Sequence, residues 1–379
     1  MPQIDPRTVV LLAGVMSSFM ALIMFFLQRS YPSSIKGLGE WGVALLLVTV
    51  GSTLAFGLGT FPNFFSITLP RILFPAGLFL GYVGAQRFFG ETPRYWPWLT
   101  LIAITVAVHM WFTFGEPNFA ARLRVSGALS VCLFVAFVNL LRKQGLNSFA
   151  KILTMGVLLS MCAIVGMRLL TALIWPVGVN IYDSSPLHMV YLSALSVFIL
   201  LLSVSIVLLA AERMHTEMAY LASHDSLTNA LTRRHMNEVC AMELERSQRN
   251  GHNMALLIMD LDHFKQVNDT HGHQRGDRVL VDFVRKVNTL LRRPDQLGRF
   301  GGEEFVVLLP ETSLSEALSV AERIRSACAA ADTEPCCTVS IGVATNSQGN
   351  DTVDSLIARA DAAMYRAKTK GRNRVETAE

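Results

Sequence analysis

The sequence predicts an all-α polytopic membrane domain (1–211), a short helical connector (212–222), and an α+β domain of ferredoxin-like topology (223–379). Three observations lead there. Charge is split: residues 1–211 hold 5 Asp and Glu against 12 Lys and Arg, whereas 212–379 hold 24 and 21. The first part contains seven apolar runs close to the roughly 20 residues that cross a bilayer as a helix. The second part alternates strand-like and helix-like periods in the order βαββαβ. The net charge of +4 arises in the apolar part, so it does not point to a nucleic-acid partner, and none is expected.

The apolar runs lie at about 8–28, 42–60, 68–86, 96–114, 125–142, 151–175 and 187–211. The first lacks a basic start, because Asp5 and Arg7 cancel, so a retained span is expected rather than a signal peptide. Trp41, Trp96, Trp98, Trp111 and Trp175 fall near predicted ends, where an aromatic belt sits. With the C-terminal domain inside, inner segments carry Arg29, Lys36, Arg87, Arg94, Arg142, Lys143, Lys151 and Arg213, and outer segments carry Arg7, Arg71, Arg122 and Arg124. Eight against four agrees with the positive-inside rule, although merging one pair of runs would give six spans. No outer loop is long enough to form a domain, so a signal would be small, membrane-borne or sensed by the spans themselves. His109 and Arg168 lie inside runs. Each reads as a functional intramembrane group or, more plainly, as a histidine packed near a helix end and an arginine snorkelling to the outer interface. No Gly/Pro-broken pair of runs recurs, which weakens a transporter reading.

After the last run, Val207, Ala211, Met214, Met218 and Leu221 step by 4, 3, 4 and 3, a short heptad-like seam. It suits a last helix that continues beyond the bilayer and pairs with its twin, or one that packs on its own domain. The polar stretch SHDSLTNALTRR, 223–234, then reads as a turn and a new helix start, with Thr228 or Thr232 as N-cap. Helices are expected near 232–249, 276–292, 313–330 and 352–369, and strands near 254–261, 297–300, 305–309 and 336–344. Cys132, Cys162, Cys240, Cys328, Cys336 and Cys337 show no CxxC and no ligand-like His spacing, so reduced structural thiols are expected.

Chemistry concentrates at two places. The strand ending in MDLD puts Asp260 and Asp262 on one face. The hairpin RFGGEEFVVLL places Glu303 and Glu304 side by side at its tip. Taken alone, each is an ordinary feature, since a Gly-Gly turn with exposed carboxylates is common. Carboxylates converging with no basic cluster nearby suggest a hard cation such as Mg²⁺, with few protein ligands and a phosphate substrate completing its shell. No GxxxxGK[ST] run is present, which excludes an ordinary P-loop NTPase.

Residues 221–375 resemble the GGDEF-domain diguanylate cyclases. HDSLTNALTRR, MDLDHFKQVNDTHGHQRGD, GRFGGEEF, TVSIGVA and DAAMYRAKTKGRNRV occur in the family's order. The resemblance implies a nucleotidyl cyclase palm fold and condensation of two GTP into cyclic di-GMP and two pyrophosphates. Asp260 and Glu303 match its Mg²⁺ carboxylates (Mn²⁺ being an alternative ion), with the Leu261 carbonyl assisting. Glu304 matches a carboxylate that binds metal or activates the 3′-hydroxyl. Gly301 and Gly302 would let the backbone approach the nucleotide closely. Phe264 and Lys265 match the turn beneath the phosphates, and Lys368 and Arg372, read as one helix face, match cations on the β- and γ-phosphates. Asn268 and Asp277 match the guanine readers; a carboxylate can accept from guanine N1–H and N2–H₂ together, which favours GTP over ATP. Arg292 and Asp295 form an RxxD that matches an inhibitory product site, which Arg323 would join. Asn229 and Thr232 depart from the pattern, standing where the family has Gly and Asn.

The family also implies a homodimer, since each half-site holds one GTP, and a bacterial cytoplasmic (inner) membrane location with the GGDEF domain in the cytoplasm. A catalytically inactive receptor for GTP or cyclic di-GMP is the alternative, although Asp260, Glu303, Glu304 and Lys368 are all intact. A membrane sensor or transporter whose soluble domain only assembles partners is a third. No EAL-type sequence is present, so phosphodiesterase activity is not expected.

Overall fold

The computed structural model describes residues 5–175, 186–330, 337–346 and 351–378. Cys336 and the start of the strand expected at 336 lie outside them. The chain divides into two compact units, Met1–Thr216 and Glu217–Glu379.

The first unit is helical: α1 (Pro6–Ser30), α2 (Leu38–Phe56), α3 (Leu69–Phe88), α4 (Trp96–Met110), α5 (Phe119–Lys143), α6 (Phe149–Ile174) and the greater part of α7 (Pro186–Ser223). A π-helical turn, Phe64–Thr68, leads into α3, and another, Trp111–Gly115, ends α4. Among the described residues seven helices are long and apolar enough to cross a membrane, the number expected. Their starts are capped as the sequence allows: the side chains of Asp5, Asn118 and Ser148 accept from the backbone N–H of Arg7, Ala121 and Lys151. Large apolar side chains such as Phe19, Phe26 and Leu173 face outward, as in a bilayer-facing helix, while Met24, Leu133, Leu141 and Leu158 fill the interior.

Two expectations change here. Trp96, Trp111 and Trp175 are exposed, but Trp41 is only 2% exposed. Its Nε1–H donates to the Gly81 carbonyl at 2.8 Å, so it ties α2 to α3 and is no belt residue. Arg168 does not snorkel: its Nη2 lies 3.3 Å from His188 Nδ1 on α7. His109 is 4% exposed in the last turn of α4. The last helix does run on past the apolar stretch to Ser223, where Met218 and Leu221 of the seam are exposed.

The second unit is a sheet with helices on both faces. In order it contains β1 (Leu231–Thr232), α8 (Arg233–Asn250), β2 (Ala255–Leu261), α9 (Phe264–His271), α10 (His273–Leu290), β3 (Gln296–Gly301), β4 (Glu304–Leu309), α11 (Leu314–Ala329), β5 (Val339–Thr345), α12 (Val353–Thr369) and β6 (Val375–Thr377). Strand order is β1-β3-β4-β2-β5-β6. The inner four give the ferredoxin-like arrangement, with β2 antiparallel to both β4 and β5. All seven residues of β2 are buried, because Leu257 and Met259 pack toward α10 and α11 while Leu256 and Ile258 pack toward α8 and α12. Gly342 in β5 permits this closeness, since a Cβ there would lie 2.0 Å from the Ala360 carbonyl of α12. The short edge strands β1 and β6 and the helix α9 were not expected; two or three residues carry too little alternation to be read.

Asn229 has φ 61°, a left-handed turn that suits glycine and that asparagine tolerates better than other side chains, so the departure from the family pattern is absorbed. Thr232 is the N-cap of α8, but its hydroxyl donates to the Ala222 carbonyl and leaves the helix amides alone. Cys132, Cys162 and Cys240 are free thiols as expected, and burial pushes the Cys240 thiol up to about 12.

Candidate active site

The site forms where β2 ends beside the β3–β4 hairpin. Register sets Asp260 directly opposite Glu304 on one side and Ser340 on the other. The Leu261 N–H donates to the Glu303 carbonyl at 3.3 Å, which fastens the tip to the strand end. Three carboxylates therefore meet on two adjacent strands, as the sequence suggested.

One basic residue, short of a cluster, does reach these carboxylates. Lys368 of α12 reaches down so that its Nζ lies 2.7 Å from Asp260 Oδ2. Alternation along β2 could not show this, because the partner comes from a helix more than a hundred residues later. One lysine does not balance the site. Burial, followed by the weaker opposing effect of Lys368, leaves the Asp260 carboxyl above its ordinary range; burial and then the Asp260 charge do the same to Glu303. Among the described residues no group of three or more His, Cys, Asp or Glu stands closely enough to form a ready metal cage. The donor set nevertheless fits Mg²⁺, which takes one or two carboxylates and fills its shell with water and phosphate oxygens. Asp260, Glu303, Glu304 and the Leu261 carbonyl are the oxygens available.

Asp262 shares a face with Asp260 but is spoken for. Its oxygens accept from Thr338 Oγ1 and Ser340 Oγ, both at 2.7 Å, and from the Asn373 N–H at 3.0 Å. It ties β2 to β5 and to the turn after α12. That turn corrects a second reading. Arg372 does not share a helix face with Lys368, because α12 ends at Thr369 and Gly371 (φ 115°) turns the chain. Arg372 and Asn373 follow at φ 62° and 47°, with Arg372 N–H bonded to the Ala367 carbonyl and Asn373 N–H to Asp262.

The residues matched to guanine come together. Asn268, at the end of α9, lies against Gly276 in α10, where a Cβ would stand 1.9 Å from Asn268 Oδ1. Asp277 is the next residue and is exposed. Gly276 is thus a site residue that the sequence reading missed, though its place in HQRGD was a signal. Phe264 is buried in the core at the start of α9 and Lys265 beside it is exposed. Gly301 ends β3 beyond a register shift, and Gly302 follows. Neither has positive φ, and a Cβ on Gly302 would meet nothing within 4 Å. The fold alone therefore does not require glycine at Gly302.

Two further residues hold the hairpin and were missed. Arg299 donates through Nε and Nη2 to the Gly302 carbonyl (3.1 and 2.7 Å) and through Nη1 to Asp225 Oδ1 (2.9 Å). Asp225 also accepts from the Thr228 N–H and hydroxyl. The turn 225–229 and the tip are locked by one guanidinium.

The RxxD residues form a closed pair. Arg292 N–H and Nε donate to the two oxygens of Asp295, both at 2.9 Å, and Arg292 Nη2 reaches the Pro310 carbonyl and Thr312 Oγ1. The Asp295 side chain is 3% exposed, while Arg292 is 54% exposed. Arg323 Nη2 donates to the Leu290 carbonyl at 3.0 Å, which brings it to the same end of α10.

Comparison with known proteins finds its matches in the same part of the chain. Residues 222–374 match the family model described as "Diguanylate cyclase, GGDEF domain". Diguanylate cyclase DgcM of Escherichia coli (strain K12) is 42% identical over 166 residues, covering 43% of this chain and 40% of that protein. The response regulator PleD of Caulobacter vibrioides is 39% identical over 162 residues, covering 41% of this chain and 36% of that protein. The chain thus spans about two fifths of these relatives. A solved GGDEF domain of DgcB from Caulobacter crescentus, in complex with c-di-GMP, is 33% identical; it covers 42% of this chain and 94% of its own, with a TM-score of 0.40. The C-terminal part of the chain, residues 222–374, is a GGDEF domain of the diguanylate cyclase family.

Proposed function

We propose that the protein is a membrane-anchored diguanylate cyclase that condenses two GTP into cyclic di-GMP and two pyrophosphates. The observation that supports it most is the register of Asp260 against Glu304, with Lys368 on Asp260, at the mouth of the GGEEF hairpin. Mg²⁺ bound there would help ionise the 3′-hydroxyl and offset charge on the transferred phosphoryl group. Asp260 and Glu303 would hold the ion, together with the Leu261 carbonyl, and Glu304 would bind it or take the hydroxyl proton. The backbone amides at the start of α9, with Lys265, would receive phosphate oxygens, as helix N-termini do. Lys368 would trade part of its contact with Asp260 for the β/γ-phosphates, and Arg372 would approach from its turn. Asn268 and Asp277 would read guanine, with Gly276 keeping the space between them. Gly302 would leave room for the nucleotide beside the tip.

Each chain would hold one such half-site, so the active form would be a homodimer with two GTP facing each other. The exposed Met218 and Leu221 of α7 suit such a pairing. The seven helices would lie in a bacterial inner membrane with the GGDEF domain in the cytoplasm, and a small or membrane-borne signal would act through them. Product would bind at Arg292, Asp295 and Arg323 and inhibit, after the Arg292–Asp295 pair opens.

The test is to purify the full chain in detergent, supply GTP and Mg²⁺, and measure cyclic di-GMP by mass spectrometry, with Glu304→Ala alongside. Product from the parent and none from the variant is expected. Binding of nucleotide with no product from the parent, also after removal of bound cyclic di-GMP, would replace the cyclase with a receptor.

A further inference from the structure

The helical unit contains a group of hydrogen-bond donors that lack an acceptor. Arg71 on α3 and Arg122 on α5 both donate through Nη1 to Thr113 Oγ1, each at 3.3 Å. Thr113 in turn donates to the His109 carbonyl at 2.6 Å. One hydroxyl oxygen thus stands between two guanidinium groups. None of the ion pairs among the described residues includes either arginine. Thr68 and His109 line the same small recess as Arg71 and Thr113. Thr68 is 5% exposed and His109 4%. Thr68 Oγ1, both ring nitrogens of His109 and Nε of Arg122 have no hydrogen-bond partner.

Buried polar groups are normally satisfied, and an exception calls for a cause. Here the unsatisfied groups share one character. Two arginines only donate, and a threonine hydroxyl and a neutral imidazole each add a donor, the second ring nitrogen of His109 being an acceptor. What is missing is an acceptor with negative charge. The donors arrive from three sides: Thr68 and Arg71 at the start of α3, His109 and Thr113 at the end of α4, and Arg122 in α5. A tetrahedral oxyanion meets such an arrangement better than a planar one. The recess adjoins both π-helical turns, a geometry frequent at functional sites. Those turns expose Phe64, Phe65, Phe114 and Trp111, and tryptophan is enriched at the membrane–water boundary.

We propose that this recess binds a phosphate group, carried by an anionic phospholipid headgroup or present as free inorganic phosphate. In the orientation proposed above it lies at the outer end of the helices. The inference does not depend on the chemistry of the second unit.

All five tryptophans lie in the helical unit, so tryptophan fluorescence, excited selectively, reports on that unit alone. The full chain, delipidated in a maltoside detergent with chloride as the only anion, would be heated with and without phosphatidylglycerol or inorganic phosphate. A rise in the unfolding midpoint is expected with at least one. A rise with the lipid alone assigns the headgroup, and a rise with phosphate assigns the free ion. Arg71→Gln and Arg122→Gln should each weaken the response at least about tenfold. In the sample without lipid or phosphate each should also raise the midpoint, because two like charges no longer face each other. Thr68→Val, which keeps the shape and the charges, should weaken binding by roughly 3- to 10-fold. No shift of the parent with either additive, or variants that titrate as the parent does, would overturn the proposal.

Discussion

In the GGDEF domain the buried carboxylates are met by partners, whereas in the helical unit buried donors stand unmet. Asp262 accepts three hydrogen bonds, Asp260 has Lys368, and Asp295 has both donors of Arg292. Arg71, His109 and Arg122 have one shared hydroxyl and several idle atoms. The difference shows how to separate architecture from chemistry. A buried polar group with every valence filled holds the fold, as Asp262 does. One left partly unbalanced, as Asp260 and Glu303 are, has kept capacity for something that arrives later.

The largest effect should come from removing that capacity. Glu304→Ala or Asp260→Asn is expected to lower cyclic di-GMP formation more than about 100-fold, since in the proposed cyclase each would remove an oxygen at the reacting phosphates. Initial rates by mass spectrometry measure it. Asp260→Asn also ends the repulsion with Glu303 and Glu304 and frees Lys368, which is partly exposed and can rehydrate. Its fold should survive. A variant that loses activity only by unfolding would break the distinction between the two kinds of carboxylate.

Asp262→Asn tests the other kind. The amide turns one acceptor into a donor facing Thr338, Ser340 or the Asn373 N–H, and the loss is about 2–3 kcal/mol for hydrogen bonds to a charged group. Amides of β2 and β5 should then exchange at least about 30-fold faster by hydrogen-exchange mass spectrometry, since opening of those strands sets the rate. Unchanged exchange with lost activity would mean that Asp262 belongs to the chemistry after all.

These pairs also show what was legible in the sequence. Period and motif order were enough to find the seven helices, the inner four strands and the meeting of Asp260 with the hairpin, because each is a local pattern. Lys368 on Asp260, Arg299 on Asp225 and Asp262 on Thr338 and Ser340 join residues 74 to 108 positions apart, and no local pattern encodes them. Arg372 was misplaced for a related reason. A spacing of four reads as one helix face until Gly371 is seen at φ 115°, beyond the helix end. In the helical unit His109 and Arg168 stood out as ionisable, but convergence of Arg71 and Arg122 on Thr113 depends on helix packing that apolar runs do not specify.

The unbalanced pair also predicts a pH dependence. Asp260 and Glu303 have folded pKa values raised above their ordinary 3.8 and 4.5. Within the window from those values up to the raised ones, the folded form holds more protons than the unfolded form. Stability of the metal-free domain should therefore fall as pH rises through that window and stay at the lower level above it. Mg²⁺ competes with the same protons, so its half-saturating concentration should rise as pH is lowered, by up to about tenfold per unit for each proton displaced. Mg²⁺-dependent hydrogen exchange of β2 at pH 5 and at pH 7.5 measures both. Equal Mg²⁺ dependence at the two values would show that these carboxylates are already balanced without an ion.

Arg292 offers the smallest effect and the finest test, because its site is closed rather than unbalanced. In Arg292→Ala the buried Asp295 carboxylate keeps the backbone N–H of residue 292 but loses the Nε donor, and about 1–3 kcal/mol of local stability at the end of α10 should go with it. Asp260, Glu303 and Glu304 are on other elements, so the initial rate should stay within about twofold of the parent when product is scarce. If cyclic di-GMP opens the Arg292–Asp295 pair in order to bind, the variant should keep its rate as product accumulates while the parent slows. Progress curves started with and without added cyclic di-GMP separate the cases. Equal slowing in both proteins would leave Arg292 as a tie to Pro310 and Thr312 and would place this pair with Asp262, among the groups that hold the fold.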